Sequence, residues 1–263
     1  KIGYGINGEE EQPRVKAEDP LKIALEFLRN KAEFRRNIVT ELIEYREKNS
    51  NIWLDLDDAK VDSWWSELRL QGHKISYEHI SKIISGQLCY EFHPFKDYFF
   101  NLPPWDNFDY IGEYLDSFDT EYPEHLDTLF RKWIVGLVAN ATEQGRNDHC
   151  FTLVGPQGIG KTSILRMLCP KVLEKYYAET SITIADKDST LLLTENFLIN
   201  LDEMETSQKM DEIGHLKALM TREDIKIRRP YAHYHKVLPR RASFAASLNR
   251  EQFLNDLTGS RRF

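Results

Sequence analysis

The octapeptide Gly155-Pro-Gln-Gly-Ile-Gly-Lys-Thr162 decides the fold that we predict for this chain. It matches the pattern G-x-x-x-x-G-K-[ST], in which glycines allow backbone N–H groups to wrap around a phosphate. A short apolar run at residues 151–154 precedes it, as a buried strand would. Ile164, Leu165 and Leu168 follow it with the spacing of a helix. A strand, a glycine-rich loop and a helix in this order predict a nucleotide-binding α/β fold.

The residue types in this loop also predict its ligands. Lys161 is expected to reach the β- and γ-phosphates of ATP, and Thr162 to bind Mg²⁺ through its hydroxyl. We therefore predict ATP and Mg²⁺ as cofactors, with a tight glycine-rich turn as the alternative. The predicted cofactor-binding residues are Gly155, Pro156, Gln157, Gly158, Ile159, Gly160, Lys161, Thr162 and Ser163.

Two carboxylates follow a second predicted strand, at residues 197–201. Asp202 is predicted to bind Mg²⁺, and Glu203 is predicted to orient the attacking water as general base. Acidic pairs at strand ends also serve as helix caps, which is the alternative interpretation. The position of this pair, after a phosphate-binding loop and at the end of an apolar strand, favours catalysis.

A third buried strand is predicted at residues 242–248, and Asn249 follows it. Its amide could hydrogen-bond the γ-phosphate or the attacking water, whereas the alternative is an ordinary turn that begins with asparagine. Strands and helices alternate from residue 151 onward, which indicates a three-layer α/β domain around a largely parallel sheet.

The most basic stretch with interleaved aromatic residues lies at residues 225–241. Interleaved cations and rings suit the phosphate backbone and exposed bases of single-stranded nucleic acid. A solvated hairpin at the edge of the sheet is the alternative. The predicted nucleic-acid-binding residues are Arg228, Arg229, His233, His235 and Lys236.

Composition limits the remaining possibilities. The net charge of −7 speaks against a protein coated in basic surface, although a ring or channel can still concentrate a few cations locally. The chain is 41% hydrophobic and 29% charged, which speaks against wholesale disorder. Three widely spaced cysteines support neither a disulfide framework nor a zinc site, and no apolar run is long enough to span a membrane. We therefore predict a cytoplasmic protein without membrane contact.

The length of 263 residues favours two domains. We predict a linker or tail at residues 1–19, an accessory domain at 20–104 and a P-loop ATPase domain at 105–263. The accessory domain is predicted to be mainly helical with one β-hairpin, and two of its helices form a helix-turn-helix-like pair that serves either packing or DNA binding. The predicted elements are a helix from residue 20, hairpin strands at 38–45 and 52–56, and helices at 59–70, 77–84, 108–118 and 125–142.

Six motifs in a particular order carry a family resemblance. They are Gly155-Pro-Gln-Gly-Ile-Gly-Lys-Thr162, Asn200-Leu-Asp-Glu203, Leu216-Lys-Ala-Leu-Met-Thr221, Arg229-Pro-Tyr231, Ser247-Leu-Asn249 and Phe253-Leu-Asn-Asp-Leu-Thr-Gly-Ser-Arg-Arg-Phe263. With them the chain, from about residue 102 to its end, resembles the virulence-associated protein E family of P-loop ATPases. That family accompanies primase modules in phages, plasmids and bacterial islands and is related to superfamily 3 helicases.

The resemblance implies a P-loop NTPase core of the AAA+ or superfamily 3 helicase type, and it implies further site residues. Asn249 would be the sensor that couples hydrolysis to movement, and either Arg261 or Arg262 would be an arginine finger supplied to the next subunit. Residues 226–236 would form a hairpin that grips single-stranded DNA in the channel of a hexameric ring, with His233, His235 and Lys236 near its tip. Because the family continues past the final Arg-Arg-Phe motif, the ATPase domain is expected to be incomplete at its C-terminus.

The predicted function is that of an ATP-dependent DNA helicase-type motor, the ATPase core of a mobile-element primase-helicase. It would translocate on single-stranded DNA as a homo-oligomeric ring, with a primase domain or partner as a further expectation. Two alternatives share the same nucleotide site. One is an ATP-driven protein remodeller or defence-system ATPase, and the other is an ATP-switched loading or assembly factor for replication.

Overall fold

The structure is a computed structural model that describes residues 19–120, 122–180, 187–201, 210–227 and 235–249. The chain divides into two compact units, Lys1–Phe92 and His93–Phe263. We describe each unit by itself.

The first unit is built on a four-stranded sheet with the strand order β3-β2-β1-β4. Strand β1 is antiparallel to β2 and parallel to β4, and β2 is antiparallel to β3. The elements are α1 (Pro20–Lys31), β1 (Ala32–Asn37), β2 (Ile43–Glu47), β3 (Leu54–Asp55), α2 (Asp58–Leu70), α3 (Tyr77–Ile83), a π-helical turn (Ile84–Leu88) and β4 (Cys89–Phe92).

One face of this sheet packs against the helices. Helix α1 begins where the Asp19 side chain accepts a hydrogen bond from the Leu21 N–H, with Pro20 in the first turn. In the core, the ring of Trp64 on α2 lies edge-on against Phe34 (5.6 Å) and Tyr45 (5.4 Å) of the sheet. The predicted helices from residue 20, at 59–70 and at 77–84 are thus present, within a residue or two at their ends.

The prediction of a single hairpin in the first domain is incomplete, because the sheet has two further strands. The predicted hairpin corresponds to β2 and β3, but residues 38–42 form the turn before β2, and β1 and β4 were not predicted. Strand β1 carries charged side chains that resemble those of a solvent-exposed helix. In the sheet, Arg35 is paired with Glu44 of β2 (2.6 Å) and lies over the rings of Trp53 and Phe92. These cross-strand partners are distant in sequence.

The second unit contains a parallel sheet of four strands in the order β5-β10-β7-β6, as the alternation of strands and helices predicts. A separate antiparallel pair is formed by β8 and β9. The described elements are α4 (Pro94–Phe100), α5 (Tyr110–Leu115), α6 (Pro123–Ala141), β5 (Cys150–Val154), α7 (Lys161–Met167), a 3₁₀ helix (Lys171–Tyr176), β6 (Tyr177–Glu179), α8 (Lys187–Glu195), β7 (Leu198–Leu201), α9 (Met210–Met220), β8 (Asp224–Ile227), β9 (Lys236–Pro239) and β10 (Ser243–Leu248).

The two units divide earlier than the predicted boundary at residues 104 and 105. Phe95 of α4 is fully buried, and its ring packs against Tyr176 (5.0 Å) and Phe197 (5.8 Å) of the second unit. Helix α4 therefore belongs to the core of the second unit, and the Pro103-Pro104 pair lies in the exposed connection between α4 and α5. Of the predicted linker, residues 1–18 lie outside the described part of the chain, and Asp19 caps α1.

Strand β10 is the last described strand in sequence, but it lies in the middle of the sheet. It pairs with β5 through Leu248 and Val154, and with β7 through Ala246 and Leu201. Because all four strands are parallel, their carboxyl ends meet at one edge of the sheet, where α/β proteins typically bind ligands. The glycine-rich loop follows β5 and Asn249 follows β10 at this edge; the third predicted motif, Asp202 and Glu203, follows β7 in sequence and lies outside the described residues.

Candidate nucleotide-binding site

The glycine-rich loop connects the end of β5 to the start of α7. Gly158 (φ 85°) and Gly160 (φ 92°) adopt left-handed backbone conformations, which side chains other than glycine adopt only with strain. A Cβ atom added at either position would meet no atom within 4 Å. The glycines are therefore required by the path of the backbone, and the space in front of the loop is open to a ligand.

Hydrogen bonds join this loop to strand β10. The Gly155 N–H donates to the Leu248 carbonyl (3.1 Å). The Lys161 ammonium donates to the carbonyls of Gly155 (2.7 Å) and Pro156 (2.8 Å) and to the Oδ1 atom of Asn249 (3.1 Å). Two of the predicted catalytic residues, Lys161 and Asn249, are thus in direct contact although they are far apart in sequence.

A cavity of about 310 Å³ opens at this point. A volume of this size lies at the lower end of the range for small-molecule sites. The described part of its lining contains one lysine together with hydroxyl and amide groups, which fits an anionic ligand such as a phosphate chain. The lining residues are Gln157, Gly158, Gly160, Lys161, Thr162, Ser163, Ser247 and Asn249.

Ser247 is the lining residue that the sequence reasoning missed. It lies two residues before Asn249 on β10, and alternate residues of a strand point to the same face of a sheet. That spacing could have identified Ser247 once Asn249 was assigned to the site. The loop residues Gly155, Pro156 and Ile159 were also predicted to contact the cofactor, but they do not line the cavity; Ile159 is 60% exposed.

Several predicted site residues lie outside the described residues, and their assignments stay predictions. Within the described ranges, no group of three or more His, Cys, Asp or Glu side chains could hold a metal ion. Thr162, the other predicted Mg²⁺ ligand, lines the cavity. The residues outside the described part are Asp202, Glu203, Arg228, Arg229, His233, Arg261 and Arg262.

The basic segment begins and ends in a pair of antiparallel strands. In the antiparallel pair, Asp224 of β8 lies opposite Pro239 of β9, and Ile227 lies opposite Lys236. The base of the hairpin predicted for this region is therefore present. Ile225, Ile227 and Leu238 are buried, which anchors the pair to the apolar core of the second unit. His235 and Lys236 are exposed where β9 begins.

Two arginines of the same segment have a structural role. Arg240 and Arg241 are each only 3% exposed, so they are not available to nucleic acid. Arg240 donates to the carbonyls of Arg222 (3.0 Å) and Ala242 (2.6 Å), and burial lowers its pKa to about 10. The cationic part of this segment that is left for a ligand is therefore smaller than the sequence indicates.

Arg241 is the buried member of a charge cluster around Glu143, which follows the end of α6 and is itself partly exposed. Glu143 accepts hydrogen bonds from Arg241 (2.8 Å) and Lys96 (2.9 Å), and it lies 3.3 Å from the Nε2 atom of His93. Burial by itself would raise the pKa of Glu143, but the Lys96 and Arg241 hydrogen bonds lower it to about 2. Burial lowers the pKa of His93 to about 4, against the attraction of Glu143. The cluster links α4 and α6 to the residue that leads into β10.

Helix α5 contacts the helix that follows the phosphate-binding loop. The Tyr114 hydroxyl donates to the Ile164 carbonyl of α7 (3.1 Å), and burial raises the pKa of this tyrosine. The Tyr114 ring stacks on Phe130 of α6 at 5.4 Å. This packing fixes the orientation of α7 relative to α5 and α6.

Comparison with known proteins gives a family and a fold. The sequence profile of the virulence-associated protein E-like domain matches residues 100–263. No curated protein matches the chain. In the described part, no helix is both long enough and apolar enough to cross a bilayer.

Solved structures of the NrS-1 C-terminal region are similar to this chain. An apo structure of that region matches this chain with a TM-score of 0.55 and 17% identity. The matched part covers 89% of this chain and 58% of the NrS-1 chain. Two A-form apo structures of the region have TM-scores of 0.51 and 0.53, each with 18% identity. The matched parts cover 89% and 88% of this chain and 57% of the NrS-1 chain in both structures. At this identity the likeness shows a shared fold. The chain spans somewhat more than half the length of these relatives.

Proposed function

The chain belongs to the virulence-associated protein E-like domain family, and on this premise we propose that it is the ATPase core of a DNA helicase-type motor. In this proposal the chain hydrolyses ATP with Mg²⁺, assembles into a ring and moves along single-stranded DNA in the replication of a mobile element. The nucleotide site carries the proposal, and the DNA and ring components depend on the basic hairpin and on the family resemblance.

The observation that carries the proposal is the contact between Lys161 and Asn249 at a cavity whose described lining comes from the glycine-rich loop, α7 and the end of β10. In this arrangement the Lys161 ammonium contacts one side chain, that of Asn249, and two backbone carbonyls of its own loop. A phosphate group bound there would accept hydrogen bonds from the ammonium and from the exposed backbone N–H groups of the loop. Asn249 would then be released to contact the γ-phosphate or the attacking water.

Further roles follow for the other residues of the site. Thr162 would hold Mg²⁺ together with Asp202, and Mg²⁺, when bound, neutralises charge on the phosphates. Glu203 would orient the attacking water, and Arg261 or Arg262 of a neighbouring copy would face the transferred phosphoryl group. Asp202, Glu203 and the two arginines are placed in these roles by their motifs.

The hairpin of β8 and β9 supports single-stranded DNA as the partner. His235 and Lys236 are exposed where β9 begins, and residues 228–234 connect β8 to β9 in the sequence. Arg228, Arg229 and His233 add further cationic or aromatic groups in that connection. Cations and rings close together bind the backbone and bases of a single strand. In a ring, several such hairpins would converge, which reconciles an acidic chain with a nucleic acid partner.

The nucleotide site is tested by Lys161→Ala. We expect this variant to lose detectable ATP hydrolysis and at least about tenfold in affinity for ATP, because a charge-assisted hydrogen bond contributes about 1.5–3 kcal/mol. Affinity is measured by calorimetry and hydrolysis by phosphate release, with Glu203→Gln assayed in parallel. Glu203→Gln is expected to bind ATP as the wild type does and to hydrolyse it far more slowly.

Exposed Lys22 on α1 provides the matched control, since Lys22→Ala removes the same side chain far from the loop in sequence. Wild-type turnover in Lys161→Ala would contradict the assignment of the site. Tight ATP binding by the wild type, without hydrolysis at any protein concentration or with any DNA, would favour the ATP-switched assembly factor instead.

A further inference from the structure

The connection between α4 and α5 exposes an unusual number of large apolar side chains. All ten residues from 101 to 110 are exposed. Four of them are large and apolar or aromatic: Leu102 (48%), Trp105 (70%), Phe108 (49%) and Tyr110 (59%). Single exposed apolar residues are common, but a contiguous group of aromatic rings marks an interaction site on a soluble protein.

This segment is held in a defined conformation by its own hydrogen bonds. The Trp105 Nε1–H donates to the Phe108 carbonyl (2.8 Å), and the Phe108 and Tyr110 rings contact each other at 4.7 Å. Asp106 accepts from the Phe108 N–H (3.0 Å) and from the Tyr110 hydroxyl (2.6 Å). The exposed rings are thus already arranged for a partner, which lowers the entropy cost of binding.

The charge of the surrounding sequence is strongly negative. Residues 96–131 contain nine Asp and Glu residues against Lys96 and Arg131, and Arg131 is ion-paired with Asp109 (2.6 Å) and Asp127 (2.8 Å). The exposed carboxylate of Glu113 on α5 is close enough to Tyr110 to raise the pKa of that phenol, after the larger effects of the Asp106 hydrogen bond and burial. We call Trp105, Asp106, Phe108, Tyr110 and Glu113 the acidic aromatic surface. Charge complementarity calls for a partner surface that combines cations with apolar groups.

The second unit carries such a surface at the end of α7 and in the 3₁₀ helix that follows. Its exposed residues include Met167 (73%) and Val172 (75%) together with the cations Arg166, Lys171 and Lys175. Arg166 is ion-paired with Glu179 (2.7 Å), and Glu174 is an exposed carboxylate between residues 166 and 175, so Lys171 and Lys175 carry the cationic character. We call Arg166, Met167, Lys171, Val172 and Lys175 the cationic apolar surface.

We propose that the acidic aromatic surface of one copy of this chain docks on the cationic apolar surface of a second copy. In line with the proposed ring, we take the contact to be head-to-tail and not a two-fold pair, and a head-to-tail contact either closes into a ring or continues as a filament. The first copy would cover the C-terminal end of α7 in the second copy; this helix begins at Lys161. The inference rests on the proposed function in one respect, since a motor that works as a ring requires contacts between copies.

A charge exchange tests the pairing. A first double variant, Glu113→Lys with Asp116→Lys, reverses two exposed charges that lie one helical turn apart at the acidic aromatic surface. A second double variant, Lys171→Glu with Lys175→Glu, reverses two charges of the cationic apolar surface. We expect each double variant to weaken self-association at least about tenfold, because like charges then face each other. The variant with all four substitutions is expected to recover most of the wild-type association. Association is measured by sedimentation velocity without nucleotide, at low and at high salt.

Trp105→Ser tests the aromatic part of the surface, with Leu70→Ser as its control because Leu70 is 89% exposed and lies in the first unit. We expect Trp105→Ser to weaken self-association and Leu70→Ser to leave it unchanged. The proposal is overturned if the wild type stays a single copy at all concentrations, if the double variants associate normally, or if the fourfold variant does not recover. Lys161→Ala tests the nucleotide site independently of the docking surfaces. We expect this variant to lose nucleotide binding and to self-associate as the wild type does.

Discussion

At the scale of single residues, the side chain of Lys161 illustrates how the site is held before a ligand binds. Its ammonium lies within 3.1 Å of three oxygens, two from the backbone of its own loop and one from Asn249. A lysine ammonium has three donors, so these contacts can satisfy all of them. Phosphate oxygens that replace them would pair the ionised donor with ionised acceptors, which gives stronger hydrogen bonds and makes the exchange favourable.

Gly160 gives the first prediction at this scale. An alanine at φ 92° costs about 1–2 kcal/mol, so Gly160→Ala is expected to distort the loop and to lower ADP affinity by about tenfold. Calorimetric titration with ADP measures the change. Gly86→Ala is the matched control, because Gly86 lies in a π-helical turn with no positive φ and would meet no neighbour within 4 Å. Equal affinity in the two variants would contradict the role of the loop conformation.

His93 gives a prediction about pH. Its folded pKa of about 4 lies below the ordinary value of 6.5, so the unfolded chain binds the proton more readily in that interval. The stability that neutral His93 contributes is complete above pH 6.5 and is lost as the pH falls towards 4. His93→Asn keeps a capping acceptor at the start of α4 and removes the titration. The fall in melting temperature from pH 7 to about 5 should therefore be smaller in the variant. An identical fall would exclude His93 as its source.

At the scale of elements, helices α2 and α3 of the first unit show what a helix-turn-helix-like sequence does here. Helix α2 buries Val61, Trp64 and Leu68, and α3 buries Ile80 and Ile83, all within one apolar cluster. The apolar stripes of both helices are thus used for packing. The packing interpretation accounts for these residues, and the DNA-binding interpretation would have to rest on the opposite faces.

Substitution of a buried and of an exposed tryptophan tests how much core packing contributes to the stability of the fold. Trp64→Ala is expected to lower the free energy of unfolding by about 3–5 kcal/mol, because it leaves a cavity against Phe34 and Tyr45. Trp105→Ala removes the same side chain where it is 70% exposed, and the expected change is about 0.5 kcal/mol. Urea unfolding measures both. A small loss for Trp64→Ala would contradict the assigned core of the first unit.

At the scale of the whole molecule, the proposed motor requires more than one copy. If an arginine of a neighbouring copy completes the site, the specific ATPase rate should rise with protein concentration and then reach a plateau. Single-stranded DNA should raise the plateau, and His235→Ala with Lys236→Ala should lose this stimulation while keeping the basal rate. Lys22→Ala again serves as the charge control. A rate that is independent of concentration would exclude a shared site, and equal stimulation in the hairpin variant would place the DNA contact elsewhere.

The sequence allowed much of the second unit to be predicted because its elements are locally specified. Residues 151–154 fall within β5, and the apolar stretches before Asp202 and Asn249 correspond to β7 and β10. Short strands with charged side chains, such as β1, were missed because their neutralising partners lie on other strands. The short strand β6 and helix α4 were missed as well. These elements are stabilised by packing on residues that are remote in sequence, as Phe95 is by Tyr176 and Phe197.

The sequence by itself determined the glycine-rich loop between β5 and α7, because glycine tolerance of positive φ and the spacing of strand and helix are local properties. Only the tertiary structure decided that β10 lies between β5 and β7, which brings Asn249 and Ser247 to Lys161. It also decided that Arg240 and Arg241 are buried while Trp105 is exposed. Strand order and burial depend on contacts between residues that are distant in the chain, and local sequence patterns do not specify those contacts.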